Sequence, residues 1–423
     1  MRITRRAALA GLAALATTIS RPARADTTIE LWSFIDPAGD SVRSKAVKKV
    51  IDTFEQRNPG VTVKTSIVAW DQLGAAMLRA AAAGRTPDVA MLHSGFIQRQ
   101  IAAGALRPLD PYLAQLSAAD RKDIVILPTA LDKQHKDYGV PYELRVSGFI
   151  YRNDLLQKAG LPIPATLPAL VDAGKKFQAS QGEGFIGMSI AFNPARSDRG
   201  ARWFVPTLVG MGGRVLKPDG SAEFNTPEGV RLVNWLKQTV DEKVMPLDIA
   251  LSDPERDQQL CEAGRVGFDL EATHWLAAMR QKQGTPLSWM PSPGMDPGKP
   301  TPADVQGWNL VIPAAAKNPD AAWKLIEVWI SPDIQMFQST TAGYLPMRVS
   351  LQDNPAFQTP ALDFIPRALA HASHDPLAFE WPENSDALNN ALCRAVVSAL
   401  SGKQDAPAAL ADAEQTYNTM VRK

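Results

Sequence analysis

Three carboxylates stand out for where they fall: Glu143, two residues before Arg145, and Asp269 and Glu271, which finish a run that starts at Ala263. Glycoside hydrolysis needs only two facing carboxyl groups, one as proton donor and one as base or nucleophile, so any pair from these three is a candidate. Other chemistries lack their signatures. There is no G-x-S-x-G elbow, no G-x-x-x-x-G-K-[ST] phosphate loop and no H-E-x-x-H pair. His371 and His374 are three apart, but Pro376 breaks their run and no further ligands accompany them, so no metal is expected. Met211-Gly-Gly213 has neither the glycine spacing nor the preceding strand of a dinucleotide site, and no cofactor is expected.

The ten tryptophans are more telling. A flat indole stacks on the apolar face of a pyranose, while carboxylates, amides and arginine satisfy its hydroxyls. Trp32, Trp203, Trp275, Trp308 and Trp381 fall at element ends or loops and suit binding, whereas Trp235, Trp323 and Trp329 fall within helices and suit the core. Trp32 reads equally well as core, and His93 as a structural histidine. Arg145 and Arg348 are unusual charges for a neutral-sugar pocket. Either they meet an oxyanion on the solute, which a guanidinium fork matches, or they are spent on a salt bridge to Glu143 and on the surface.

Something must position these groups. Thr28–Trp32 and Val61–Ile67 alternate as strands, and Pro87–Leu92 is a third strand. Between them run helical patterns through Ala46, Val47, Val50, Ile51 and Phe54, and through Leu73, Ala76, Met77 and Ala80. Strand, helix, strand, helix, strand is the mark of a mostly parallel α/β sheet, whose ligands sit beyond the carboxyl ends of the strands. Those ends are Trp32-Ser-Phe-Ile-Asp36 and His93-Ser-Gly-Phe96. The stretch Tyr138–Leu156 passes from a Pro/Gly turn through Glu143 and Arg145 to an apolar run and a helix start, which reads as a crossing from one lobe to another. A second crossing is read in Val305–Ile312, after a Pro- and Gly-rich stretch from Gly284 to Pro302. The last long helix begins at Ser385 and ends at Gly402.

With 423 residues and 45% of them hydrophobic, the chain has material for two or three cores. Residues 1–25 read as an export signal: Thr4-Arg5-Arg6, an apolar run from Ala7 to Ala16, then Ala23-Arg24-Ala25 as a cleavage site. The paired arginines resemble a twin-arginine signal, with ordinary Sec export as the rival. That segment holds five arginines and no acids, so its loss takes the formal charge from +1 to −4 (+1 less five), and nucleic acid is not an expected partner. Cys261 and Cys393 either pair in an oxidising compartment or stay as buried thiols.

Several stretches together resemble extracellular solute-binding proteins that serve ATP-driven sugar importers, similar to maltose-binding and related carbohydrate-binding components. They are Phe54–Val63, Gly84–Val89, Gly104–Tyr112, Gly139–Pro141 with Ile150–Leu161, and Lys317–Leu325 with Gly343–Pro346. The resemblance implies a type II periplasmic binding protein fold: two α/β lobes, each a mixed, mostly parallel sheet flanked by helices, joined by three hinge crossings and closing on ligand. It implies lobes of residues 26–140 plus 308–370 and of 141–307 plus 371–423, with crossings near Tyr138–Tyr142, Val305–Trp308 and Ala370–Pro382.

It further implies a periplasmic monomer that is not an enzyme, takes a carbohydrate-type solute and docks on membrane permease subunits. By the same analogy the contacts are Trp32, Ser33, Asp36, His93 and Ser94 from the first lobe. Arg145, Trp203, Glu271 and Trp275 come from the second, with Trp308, Asn309, Tyr344 and Arg348 near the hinge and rim. Many relatives carry Gly-Gly where this chain has Gln306-Gly307-Trp308, which makes Trp308 a candidate specificity element. Two alternatives stand beside this reading: a secreted carbohydrate-active enzyme using paired carboxylates, and a binder of an anionic polyol or sugar such as a glycerophosphate, sulfonate or acidic sugar.

Overall fold

The computed structural model describes residues 27–194, 198–283 and 286–421, so the export signal read at 1–25 lies outside it. Among the described residues there are eight strands: β1 (Thr27–Ser33), β2 (Val61–Ile67), β3 (Val89–His93), β4 (Val140–Arg152), β5 (Ile186–Ser189), β6 (Val266–Ala272), β7 (Leu287–Pro291) and β8 (Val305–Val311). Their order is β2-β1-β3-β8-β4-β6-β5, with β7 also on β4. β1 runs parallel to β2 and β3, and β5 parallel to β6, as βα units dictate. The other pairings are antiparallel and arise where β4 and β8 pass between the two halves.

β4 is the element that joins those halves. Val140–Val146 pairs with β8, and from Ser147 onward the strand pairs with β6 and β7 instead. Alternation along β4 then sends neighbours to different cores. Ile150 belongs to one hydrophobic cluster, which also holds Leu276, Leu287 and Trp289, whereas Phe149 belongs to the other, with Phe177, Trp203 and Phe268. β3 is buried along its whole length, as befits a strand covered on both faces. Beside the start of β8, Ala303 N–H donates to Asp375 O at 2.7 Å and Leu377 N–H to Ala303 O at 3.1 Å.

Local signals explain most boundaries. Ser41 caps the helix Val42–Arg57 by accepting from Ser44 N–H. Thr166 and Thr226 cap Leu167–Gln181 and Pro227–Asp241 in the same way. Two expectations need correction. The Pro- and Gly-rich stretch contains β7, and the helix Ser385–Leu400 is followed by another, Ala406–Val421. That final helix buries Ala409, Leu410 and Tyr417 in the second core, and Tyr417 Oη donates to Asn384 Oδ1 at 3.1 Å. Cys261 and Cys393 are buried thiols in different cores, not joined by a disulfide.

Gly307 carries a sharp local constraint. A Cβ there would stand 2.3 Å from the Glu143 carbonyl oxygen, a backbone atom fixed by the β4–β8 ladder. Gly307→Ala is therefore expected to cost about 1–3 kcal/mol through overpacking. Chemical denaturation checks this, and an unchanged midpoint would show that the ladder yields freely.

Candidate functional site

The strand ends converge on one cavity of about 300 Å³. Phe34, just past β1, Trp70, Trp308 of β8 and Trp275 of the helix His274–Gln283 give it aromatic walls. Four guanidinium groups also line it: Arg43 from the helix Val42–Arg57, Arg145 from β4, and Arg199 and Arg202 from the helix Asp198–Gly210. Glu271 at the end of β6 is the one carboxylate among its described lining residues, with Gln258, His274 and Gln306 as neutral polar groups.

Each cation has a defined setting. Arg43 Nε donates to Tyr344 Oη at 2.7 Å and its Nη2 lies 3.6 Å from Glu143. Burial alone would lower the Arg43 pKa, but Tyr344 and Glu143 more than offset it and the guanidinium is held more firmly protonated than usual. Arg199 pairs with Glu271 at 2.6 Å. Arg202 donates to Asp304 Oδ2 at 3.0 Å and lies 4.4 Å over the Trp381 ring. Arg145 contacts His93 Nε2 and donates to Gln306 Oε1 at 3.4 Å. Burial, then the Arg145 charge, pushes His93 and His274 well below the ordinary imidazole value, so both are neutral near pH 7.

Of the residues named from sequence, Arg145, Glu271, Trp275 and Trp308 line the cavity, and His93 stands directly behind Arg145 with its ring edge on Trp308. The others are elsewhere. Trp32 spends its indole N–H on Glu30 of its own strand, Ser33 Oγ bonds to Ile35, and exposed Asp36 caps a turn at Ala38. Ser94 bridges to the Gly307 backbone through both its N–H and its carbonyl, and Asn309 donates to Ser94. Tyr344 supports Arg43 from behind.

Two of the named residues are engaged well away from the cavity. Trp203 is buried in the second core, 6.0 Å from Trp235 between ring centres, and donates to Ser292. Arg348 is held by the Ile330 carbonyl, Asp120 and Asp123. Its charge answers those two aspartates, which corrects the idea that it waits for a solute.

Phe34, Arg43, Trp70, Arg199, Arg202 and Gln306 were missed. One signal was available: Arg199 and Arg202 are three apart at a helix start, hence on one face, with Trp203 turned to the other side. Phe34 lies in the strand end Trp32–Asp36 already marked for ligands, although it was not itself named, whereas Arg43 carries no comparable mark.

Behind Glu271 lies an acid cluster. Asp257 accepts from Ser189 at 2.6 Å and from Ser252, while Asp269 is 1% exposed. Burial, then the charges of Glu271 and Asp257, raises the Asp269 pKa well above its ordinary value. The native state thus keeps a proton that the unfolded chain releases, and stability falls as pH rises from about 4 through the raised value. Asparagine lacks that loss. Asp269→Asn is expected to raise the melting temperature, and by more at pH 8 than at pH 5; a loss at both values would refute the assignment.

Comparison with known proteins agrees with this geometry. A Brucella abortus protein described as a binding protein is 24% identical over 383 residues, 89% of this chain and 90% of its own. An Escherichia coli K12 protein, named as an ABC transporter periplasmic-binding protein, is 22% identical over 206 residues, 48% of this chain and 47% of its own. The GacH receptor of Streptomyces glaucescens, solved unliganded and with acarbose, superposes with a TM-score of 0.78 at 23% identity, over 95% of this chain and 100% of that one. That likeness shows the two-lobed fold. With residues 38–336 matching the model of the bacterial extracellular solute-binding protein family, and the strand ends of such a fold gathered around one aromatic cavity, this chain belongs to that family.

Proposed function

We propose that the protein captures a carbohydrate or sugar derivative between its lobes and delivers it, unaltered, to the permease subunits of an ABC importer. The observation that carries this is the cavity itself: indoles from different parts of the fold face a space the size of a small-molecule site, fringed by fixed hydrogen-bonding groups. The acarbose-bound structural relative and the transporter-associated relative support it. The lobes are residues 26–140 plus 308–370 and 141–307 plus 371–423, and the change of partners along β4 after Val146 supports a crossing there. No catalysis is proposed. Glu271 is the one described carboxylate in the wall and is tied to Arg199, so a facing acid pair for glycoside hydrolysis is not assembled.

The contacts proposed are Arg145, Glu271, Trp275 and Trp308, with His93 behind, and Phe34, Arg43, Trp70, Arg199 and Arg202 added. Among the described residues no helix is long and apolar enough to cross a membrane. A periplasmic monomer is proposed. Titration of the protein lacking residues 1–25 with mono- and oligosaccharides, followed by calorimetry and small-angle scattering, tests the reading. Saturable binding with compaction and intact solute recovered supports it; no binding, or a chemically changed solute, overturns it.

A further inference from the structure

Resting on that reading, we infer that Glu143 is the positioning residue for Arg43, and that Arg43 is a direct contact for oxygen atoms of the solute. Glu143 and Arg145 are two apart on β4, beyond the shift in register between Pro141 and Glu143, and so stand on one face of the strand. Arg145 reaches the cavity, whereas Glu143 is 0% exposed and does not line it. A carboxylate taken wholly out of water costs stability unless cations and hydrogen bonds answer it. Arg43 answers it, with Nη2 at 3.6 Å, and the Arg145 charge adds to this. Tyr344 completes the link. Its Oη accepts from Arg43 Nε at 2.7 Å, which leaves the phenol proton free to turn toward the Glu143 carboxylate.

What this network holds is a wall of the cavity. The Arg43 guanidinium carbon lies 4.9 Å from the Phe34 ring centre and 5.6 Å from that of Tyr344, and Phe34 is in turn stacked on Trp308 at 4.0 Å. Phe34, Arg43 and Trp308 all line the cavity. The guanidinium is thus held by two rings and a carboxylate, yet its side chain keeps 17% of its surface exposed against none for Glu143. Because Arg43 lines the cavity, that surface is open to a solute, and a guanidinium offers only donors, which suit the hydroxyl and ring oxygens of a carbohydrate. A donor fixed in advance binds with less loss of side-chain freedom. Removing its brace therefore weakens binding although no atom that touches the solute has gone.

Calorimetry on the protein lacking residues 1–25, with mono- and oligosaccharides such as glucose, galactose, maltose and lactose as probes, tests this. For a sugar that binds, Glu143→Gln is expected to weaken affinity about tenfold, as Arg43→Gln does, and the double variant to bind no worse than Arg43→Gln alone. Glu143→Asp, which keeps the charge, is expected to bind more tightly than Glu143→Gln. Tyr344→Phe keeps the ring and loses only the hydroxyl; it is expected to give a smaller loss that likewise disappears beside Arg43→Gln. A merely structural role would not show this dependence, since a loosened core weakens binding whether or not Arg43 is present. Melting temperatures without sugar report on folding, and if Glu143→Gln does not fold, Tyr344→Phe decides. Unchanged affinity in these variants, or losses that add in full to that of Arg43→Gln, would overturn the inference and leave solute capture standing. No binding of any of the sugars to the unsubstituted protein would overturn both.

Discussion

Trp308→Ala is expected to destabilise the protein by about 3–5 kcal/mol and to lower affinity for its solute at least tenfold. Trp308 is 3% exposed, with its ring stacked on Phe34 at 4.0 Å and edge-on to His93 at 5.4 Å. It lies between β3 and β4, opposite His93 on one side and Glu143 on the other. Truncation therefore opens a void between two ladders, a setting in which neighbours collapse poorly. The same void removes one aromatic wall of the cavity and the surface that holds His93 against Arg145. Trp308→Phe separates the two effects, since it keeps most of the packing and loses the larger stacking face. Denaturant midpoints and titration calorimetry on both variants check this. If the alanine variant kept full affinity despite lower stability, Trp308 would belong to the core alone.

How far such residues were legible in the sequence depends on whether their partners are local. Alternation in Thr28–Trp32 and the helical spacing of Ala46, Val47, Val50, Ile51 and Phe54 act over a few residues, and each marked its element correctly. Glu271, Trp275 and Trp308, named from the sequence, do line the cavity, and Glu271 does so from the end of β6. Arg348 misled because its partners, Asp120 and Asp123, are 228 and 225 residues away. Trp203 misled because only the fold shows that its side of the helix meets Trp235 and Ser292. β7 was hidden by flanking proline and glycine, since its pairing with β4 is made at long range and leaves no period in so short a run. Arg43 follows the same logic: it matters for Tyr344, 301 positions later, and no local pattern announces that.

Asp304 is where such long-range dependence should have its largest energetic effect. Its carboxylate accepts from Arg202 at 3.0 Å, from Gln306 at 2.6 Å and from the Trp381 indole at 3.2 Å, and so ties a helix, the start of β8 and the loop that carries Trp381 together. Asp304 is 7% exposed and Arg202 is 4% exposed, so little solvent screens the pair. Arg202→Met would leave a buried carboxylate short of its counter-charge, and about 3–5 kcal/mol of destabilisation is expected. Asp304→Leu alone would strand the guanidinium and release the Gln306 amide, freeing its carbonyl to turn from Arg145. Combining the two substitutions should recover much of the loss, because removing both charges avoids the desolvation penalty that either single change exposes. A double-mutant cycle by chemical denaturation measures that coupling. If the two losses simply add, Asp304 and Arg202 are independent, and the link between the helix and the start of β8 is not held by their charge.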